Sequence, residues 1–370
     1  MLLLIGAEFF RVYLIMPFPG SQRMDSVGVA YALHQFIVVI RVLAIAACVP
    51  LLLAKRRWFL ALPFLAWGAL YYFTHFVAAA DHMFREPTTT VMVTSEKNTV
   101  PLERVVLGIS SGDEFRAYPV ELIGYHHQVR DQLGGKPVMV TYCTVCRTGA
   151  VFDPRDDQFR LVGMDHFNAM FEDAKTGSWW RQASGIAITG SRKGESLPVL
   201  HSEQMTLGAW LELHPRSLVL QPDATFDEEY KSLRGFDDGT RPGSLTGRNT
   251  ESWQEKSWVV GVAVGSDARA FDWNELTRAG ALNAQIGSTP VVVWVDLDGK
   301  SFAAFERTVD GRVVTFTRNE HTMIDAETSS TWLQNGTCVA GELQGKRVQP
   351  LQSHQEFWHA WREFHPNTTK

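Results

Sequence analysis

Two patterns of apolar and polar positions divide the chain. Up to about residue 80 it is almost continuously apolar, and beyond that it mixes apolar and polar positions as a globular protein does. Residues 28–54 form an apolar run long enough to cross a bilayer, and Trp58 to Ala80 form a second. Residues 2–18 are a shorter apolar stretch, interrupted by Glu8 and Arg11, and a weaker candidate for a first span. The basic start and small-residue cleavage site of a signal peptide are missing. Lys55, Arg56 and Arg57 sit between the two strong runs, and the positive-inside tendency puts that loop in the cytoplasm. The expectation is a multi-pass protein of two to three transmembrane helices, with everything after about residue 85 on the outer face and the lipid membrane as its one evident partner.

The part beyond the spans reads as α+β and strand-rich. Each of two stretches suggests a hairpin, a helix of about a dozen residues (Val120–Leu133 in the first), a buried strand, several alternating strands and a closing helix before His-Pro, with Thr206 as its N-cap in the first stretch. The stretches resemble each other in sequence. Val106-Leu-Gly-Ile-Ser-Ser-Gly112 returns as Val259-Val-Gly-Val-Ala-Val-Gly265, and Gln132-Leu-Gly134-Gly-Lys-Pro137 as Gln285-Ile-Gly287-Ser-Thr-Pro290, both at an offset of 153. Trp180 matches Trp332, and Trp210 with His214 matches Trp361 with His365. The predicted organisation is residues 1–85 transmembrane, 86–104 a linker, 105–245 a first repeat and 246–370 a second, degenerate one.

Net charge is −5 with no block of Lys and Arg, so the sequence gives no sign of a nucleic-acid surface. Four cysteines, Cys48, Cys143, Cys146 and Cys338, do not make a disulfide scaffold. The close pair ends the β-branched strand Val138-Met-Val-Thr-Tyr-Cys143-Thr-Val-Cys146-Arg-Thr-Gly149. Features shared by the two copies point to folding, whereas features confined to one are candidates for function. On that test the shared tryptophans and histidines serve packing and capping. Copy one alone carries Cys143, Cys146, His126, His127, Met164 and His166, since Asp296, Gly299 and Ala279 stand where Cys143, Cys146 and His126 would fall.

Three readings stay open. Two thiolates with His126, His166 or Met164 suit a transition metal ion, copper by preference or zinc. The same pair suits thiol–disulfide exchange, though no helix N-terminus follows to lower a thiol pKa, and Arg147 is the one evident group to favour a thiolate. A purely structural pair is the third. Arg147 stands where covalent haem attachment needs histidine. Inside the spans, His34 and His75 fall at comparable depth, as axial ligands of a b-type haem would, although two histidines packed in the bundle is the simpler reading. Asp131 and Asp153 read either as partners orienting the site or as turn and helix-end residues, and Asp165, Glu172 and Asp173 as solvated. No phosphate-binding loop, nucleophile elbow or dinucleotide fingerprint is present. Whether the chain is an enzyme stays open.

Arg116-Ala-Tyr-Pro119, His126 with Asp131, Gly134-Gly-Lys-Pro137, Thr141-Tyr-Cys143 and Thr176-Gly-Ser-Trp-Trp-Arg-Gln182 together resemble a bacterial family known only as domain of unknown function 3179. The resemblance is good over roughly residues 100–220. It implies a membrane-associated or exported protein, here in the bacterial inner membrane with a periplasmic domain, and a site around Cys143 and His126. It supplies no reaction. The chain departs from the usual pattern in reading Cys143-Thr-Val for Cys-Pro-Leu, and His126-His127 for His-Glu.

Overall fold

The long apolar run forms one helix, Val27–Leu52, preceded by the helix Leu2–Tyr13 and followed by Ala61–Tyr72, whose end widens into a π-turn at Phe73–Val77. The computed structural model describes residues 1–52 and 61–370, so the basic loop at residues 55–57 and the start of the second run lie outside the described residues. Among the described residues one helix, over Val27–Val49, is long and apolar enough to cross a membrane. Its Phe36, Val38, Val42 and Leu43 side chains are more than half exposed. Such a band of apolar surface needs a cover of lipid or protein.

These helices share a compact unit, residues 1–86 with 156–197, with the three-stranded sheet Phe159–Asp165, Asn168–Asp173 and Trp179–Arg181. Gly163 permits the contact, because a Cβ there would come within 2.5 Å of the Ile15 carbonyl oxygen. That carbonyl accepts a 2.7 Å hydrogen bond from the Met164 amide, and Tyr31 of the long helix meets Trp179 edge-on at 5.1 Å. Packing thus groups residues 156–197 with the helices, a cut that the sequence boundaries at 85, 104 and 245 do not contain. Asp165 and Asp173 are buried and not solvated. Asp173 takes Trp180 Nε1–H at 2.8 Å and the Thr176 hydroxyl, and so closes the hairpin that carries it.

The second unit holds residues 87–155 and 198–370. Its largest sheet contains Val105–Ser111, Glu114–Pro119 and Ser202–Thr206 together with Phe302–Glu306, Thr289–Val295 and Ala281–Ile286. Ser202–Thr206 is the join, pairing antiparallel with Val105–Ser111 and, at Gln204, with Phe302. The linker does not run free: Met92–Val93 adds to this sheet beside Leu218–Leu220.

Both stretches read as similar contain a hairpin, a seven-residue helix and a second hairpin. The predicted helix Val120–Leu133 stops at His126, and Gln128–Leu133 is a strand paired with Lys136–Cys143. Two local features end it. His127 takes a left-handed φ of 60°, as Gly280 does (φ 78°) after the helix Trp273–Ala279. Gly134-Gly135, at φ 59° and 72°, then make a two-residue hairpin turn that requires strands on both sides. The closing helices pack alike. Thr206 caps Leu207–Leu213 by accepting the Ala209 amide, as expected, and Trp210 lies on Gly108, where a Cβ would fall 2.3 Å from the indole. Trp361 lies on Gly261 in the same way, at 2.2 Å. His214 and His365 end these helices with their rings on the same tryptophans, 4.2 and 3.8 Å between centroids.

Candidate functional site

The strand Lys136–Cys143 and the strand Thr148–Phe152 pair in antiparallel register, with Cys143 opposite Thr148, so residues 144–147 form the tip of a hairpin. Arg147 closes the tip with a left-handed φ of 62°. Cys143 and Cys146 face each other across it as free thiols in hydrogen-bond contact, both fully buried. Burial, then the neighbouring Cys143, pushes the Cys146 thiol well above its usual range. No helix begins after the pair, which agrees with the reading of Arg147–Phe152 as strand.

Arg147 does not serve the sulfurs. Its Nε donates to Gln355 Oε1 at 2.8 Å, its two Nη atoms donate to the carbonyls of Phe236 and Asp237 at 2.7 and 2.9 Å, and its guanidinium lies 3.7 Å from the centre of the Trp258 ring. It anchors the hairpin tip to residues from the later part of the chain.

The polar surroundings of the pair come from that later part too. The strand Ser353–Phe357 runs beside the tip, and the Phe357 amide donates to the Cys146 carbonyl at 2.9 Å. This places Glu356, 3% exposed, against Cys143 and beside Thr148. Burial pushes the Glu356 carboxyl from its usual 4.5 up to about 8, so it is protonated at neutral pH. Lys256 Nζ donates to Val145 O at 2.8 Å and Leu245 O at 2.6 Å, and lies 3.1 Å from His359 Nε2. Burial lowers Lys256 to about 8 despite the opposing pull of the two thiols. Burial, with Lys256 second, lowers His359 to about 3, so its ring is neutral. The Tyr142 hydroxyl is buried with no hydrogen-bond partner among the described residues, and burial pushes it up to about 12.

The other expected ligands have partners of their own. His126 ends its helix with Nε2 at 2.6 Å from the Tyr230 hydroxyl, and His127 Nδ1 bonds Tyr125 O at 3.0 Å. Met164 and His166 lie in the first unit. There His166 is a hairpin-turn residue (φ 48°) bonded to Asp165 Oδ1 at 2.7 Å. Among the described residues, no group of three or more His, Cys, Asp or Glu side chains is arranged to hold one metal ion. The sulfurs alone suit a soft ion of low coordination number, and they do not make a tetrahedral zinc site. Asp131 is on a strand, not a helix, and accepts from the Tyr118 hydroxyl at 2.7 Å, while Asp153 accepts the Arg155 amide in a turn.

His34 and His75 have separate partners. His34 Nε2 lies 3.1 Å from Glu172 Oε2 on the sheet of the first unit. His75 Nε2 lies 2.9 and 3.1 Å from the Nη2 atoms of Arg41 and Arg11, which fixes it as an acceptor, and Nδ1 donates to Tyr71 O at 2.9 Å. Arg41 also forks onto the buried Glu8 at 2.6 and 3.0 Å. Ligation of haem by this pair would require both rings to leave these bonds.

A family model described as "Protein of unknown function (DUF3179)" matches residues 86–368. The chain belongs to the DUF3179 family. Neither a curated protein nor a solved structure matches it. The match takes in both the thiol hairpin and the strand bearing Glu356, so the whole assembled site lies inside the DUF3179 region.

Three residues at this site escaped the sequence reading: Lys256, Glu356 and His359. The signal was present. Glu103, Met205 and Gly208 stand at the matching positions of the first stretch, so these three are confined to one of the two similar stretches.

Proposed function

We propose that this DUF3179 member is a membrane-anchored protein whose Cys143–Cys146 pair is a shielded thiol redox centre. The contact between the two sulfurs at one hairpin tip, with Glu356 and Lys256 beside them, carries this reading. Oxidation joins the sulfurs and sends two electrons and two protons to an acceptor such as a disulfide or a quinone. On reduction the sulfurs take two protons back, and Glu356 and Lys256 both hold one to give near neutral pH. Complete burial keeps the pair from bulk thiols, so exchange waits on a local opening of the Lys256 tether to Val145 and Leu245. In this reading the N-terminal helices form a multi-pass anchor in a bacterial inner membrane and the DUF3179 region faces the periplasm. The two similar stretches are duplicates, one supplying the thiols and the other their proton donors.

The test is a redox titration of the full chain in detergent, with the thiols counted by mass shift after alkylation. Interconversion of dithiol and disulfide in a two-electron step supports the centre, and its loss in Cys143→Ser fixes the assignment. A pair that stays reduced in every oxidising buffer while the protein remains folded refutes it. A second reading is binding of copper(I) between the two sulfurs, favoured by the soft donors and by the cationic Lys256 beside what would be an anionic bis-thiolate. About one copper per chain, lost in Cys143→Ser/Cys146→Ser, would move the assignment there.

A further inference from the structure

We propose that His359 is the proton port of the thiol pair, passing protons between Lys256 and water. The inference rests on the redox reading above, which requires protons to leave and re-enter a buried site. Joining the two sulfurs releases two protons with the two electrons, and the electrons go to the acceptor disulfide or quinone. The protons need a route of their own, because Cys143 and Cys146 are 0% exposed.

Three observations define the route. The first is position. Lys256 Nζ donates at 2.8 Å to the carbonyl of Val145, the residue just before Cys146 at the hairpin tip, and its charge interacts with both sulfurs. The second is the set of acceptors. An ammonium has three hydrogens, and those of Lys256 meet Val145 O, Leu245 O at 2.6 Å and His359 Nε2 at 3.1 Å. Two of these acceptors are backbone carbonyls, far weaker bases than an imidazole nitrogen. His359 is therefore the one of the three to which Lys256 can give up a proton. The third is the state and place of the ring. Burial, with Lys256 and Arg362 adding repulsion, keeps His359 neutral, so Nε2 has a lone pair with which to receive. His359 is only half-buried, whereas Glu356, the other group holding a proton, is 3% exposed.

Lys256 passes a proton to Nε2, and the imidazolium releases its Nδ1 proton to water. Neutral Lys256 then takes a proton from a thiol and is an ammonium again. The ring, now carrying its hydrogen on Nε2, can donate to Val145 O, 3.4 Å away, until exchange with water restores the first tautomer. Two such cycles remove both thiol protons, and the reverse sequence returns them on reduction. The first transfer runs uphill, from a group at about 8 to one at about 3, so the imidazolium is a passing state and not a store.

The experiment follows the thiol protons directly. The full chain in detergent carries Cys48→Ala and Cys338→Ala, so that of its four cysteines only this pair is left. It is moved, reduced, into heavy water, and infrared absorption follows the S–H stretching band as S–D replaces it. Exchange should slow about a hundredfold in His359→Gln, whose side-chain oxygen can still accept from Lys256 but is no base, and added imidazole should restore much of the rate. Arg362→Glu, at a side chain 50% exposed, should quicken exchange about threefold by making the ring a better base, and it decides the matter if the Gln variant does not fold. Exchange equally fast in wild type and variants overturns the port. A slower Gln variant that imidazole does not restore overturns it too, because a ring that only packs would give that result. The redox reading fails separately, through a pair that stays reduced in the titration above while its S–H band still exchanges through His359.

Discussion

Glu356→Gln tests the thiol site through its pH dependence. The carboxyl is 3% exposed and sits between Cys143, Thr148 and the Cys146 turn, with Lys256 on the adjoining segment. Its folded pKa is about 8 against 4.5. The folded state therefore holds a proton that the unfolded state releases across that range. Stability from this group is complete below 4.5, falls as pH rises, and levels off above about 8. Three histidines oppose it at the acid end. Burial lowers His127 and His354 to about 4 and His359 to about 3, so they add stability as pH rises towards 6.5. Lys256, lowered to about 8, acts above that pH. Between pH 6.5 and 8 the contribution of Glu356 alone should fall by about 2 kcal/mol, while those of the histidines and Lys256 are common to the wild type and the Gln variant and cancel in the comparison. Gln cannot titrate, and its side chain has nearly the same shape and size. The assay is denaturant unfolding followed by tryptophan fluorescence in detergent at several pH values. The wild-type and Gln curves should converge by about 2 kcal/mol across the window. Parallel curves would show that Glu356 is an ordinary ionised carboxylate, and the reasoning about the thiol environment would fail with it.

Other perturbations follow from the same contacts. Lys256→Gln breaks the tether that covers the hairpin tip, and alkylation of the thiols in the folded protein should quicken by about tenfold, the effect of losing roughly 1.4 kcal/mol of closing energy; an unchanged rate places the gate elsewhere. Arg147→Leu strands Gln355 and two carbonyls in the interior and should cost about 3–5 kcal/mol, read as a lower unfolding midpoint. Glu8→Gln leaves Arg41 and Arg11 without their buried carboxylate, so the yield of folded protein in membranes should drop; normal yield would mean that water or lipid reaches those arginines.

Much of this protein is legible in its sequence because the deciding forces are local. The apolar run of the long helix, the alternation of the strands, the Thr206 cap and the Cys-x-x-Cys at a strand end all follow from nearest-neighbour chemistry. The helix predicted through Leu133 is cut short by another local signal, the Gly134-Gly135 turn, which commits the preceding six residues to a strand. What sequence could not decide is which distant residues meet. Met164 and His166 looked like ligands because they were confined to one copy, yet packing against the N-terminal helices draws them into the first unit. Glu356, Lys256 and His359 reach the thiols only because the strand Ser353–Phe357 lies beside the hairpin and hydrogen-bonds its tip. No local pattern encodes that approach. Their protonation was equally hidden, since it depends on desolvation, and desolvation exists only once the chain has closed around the groups.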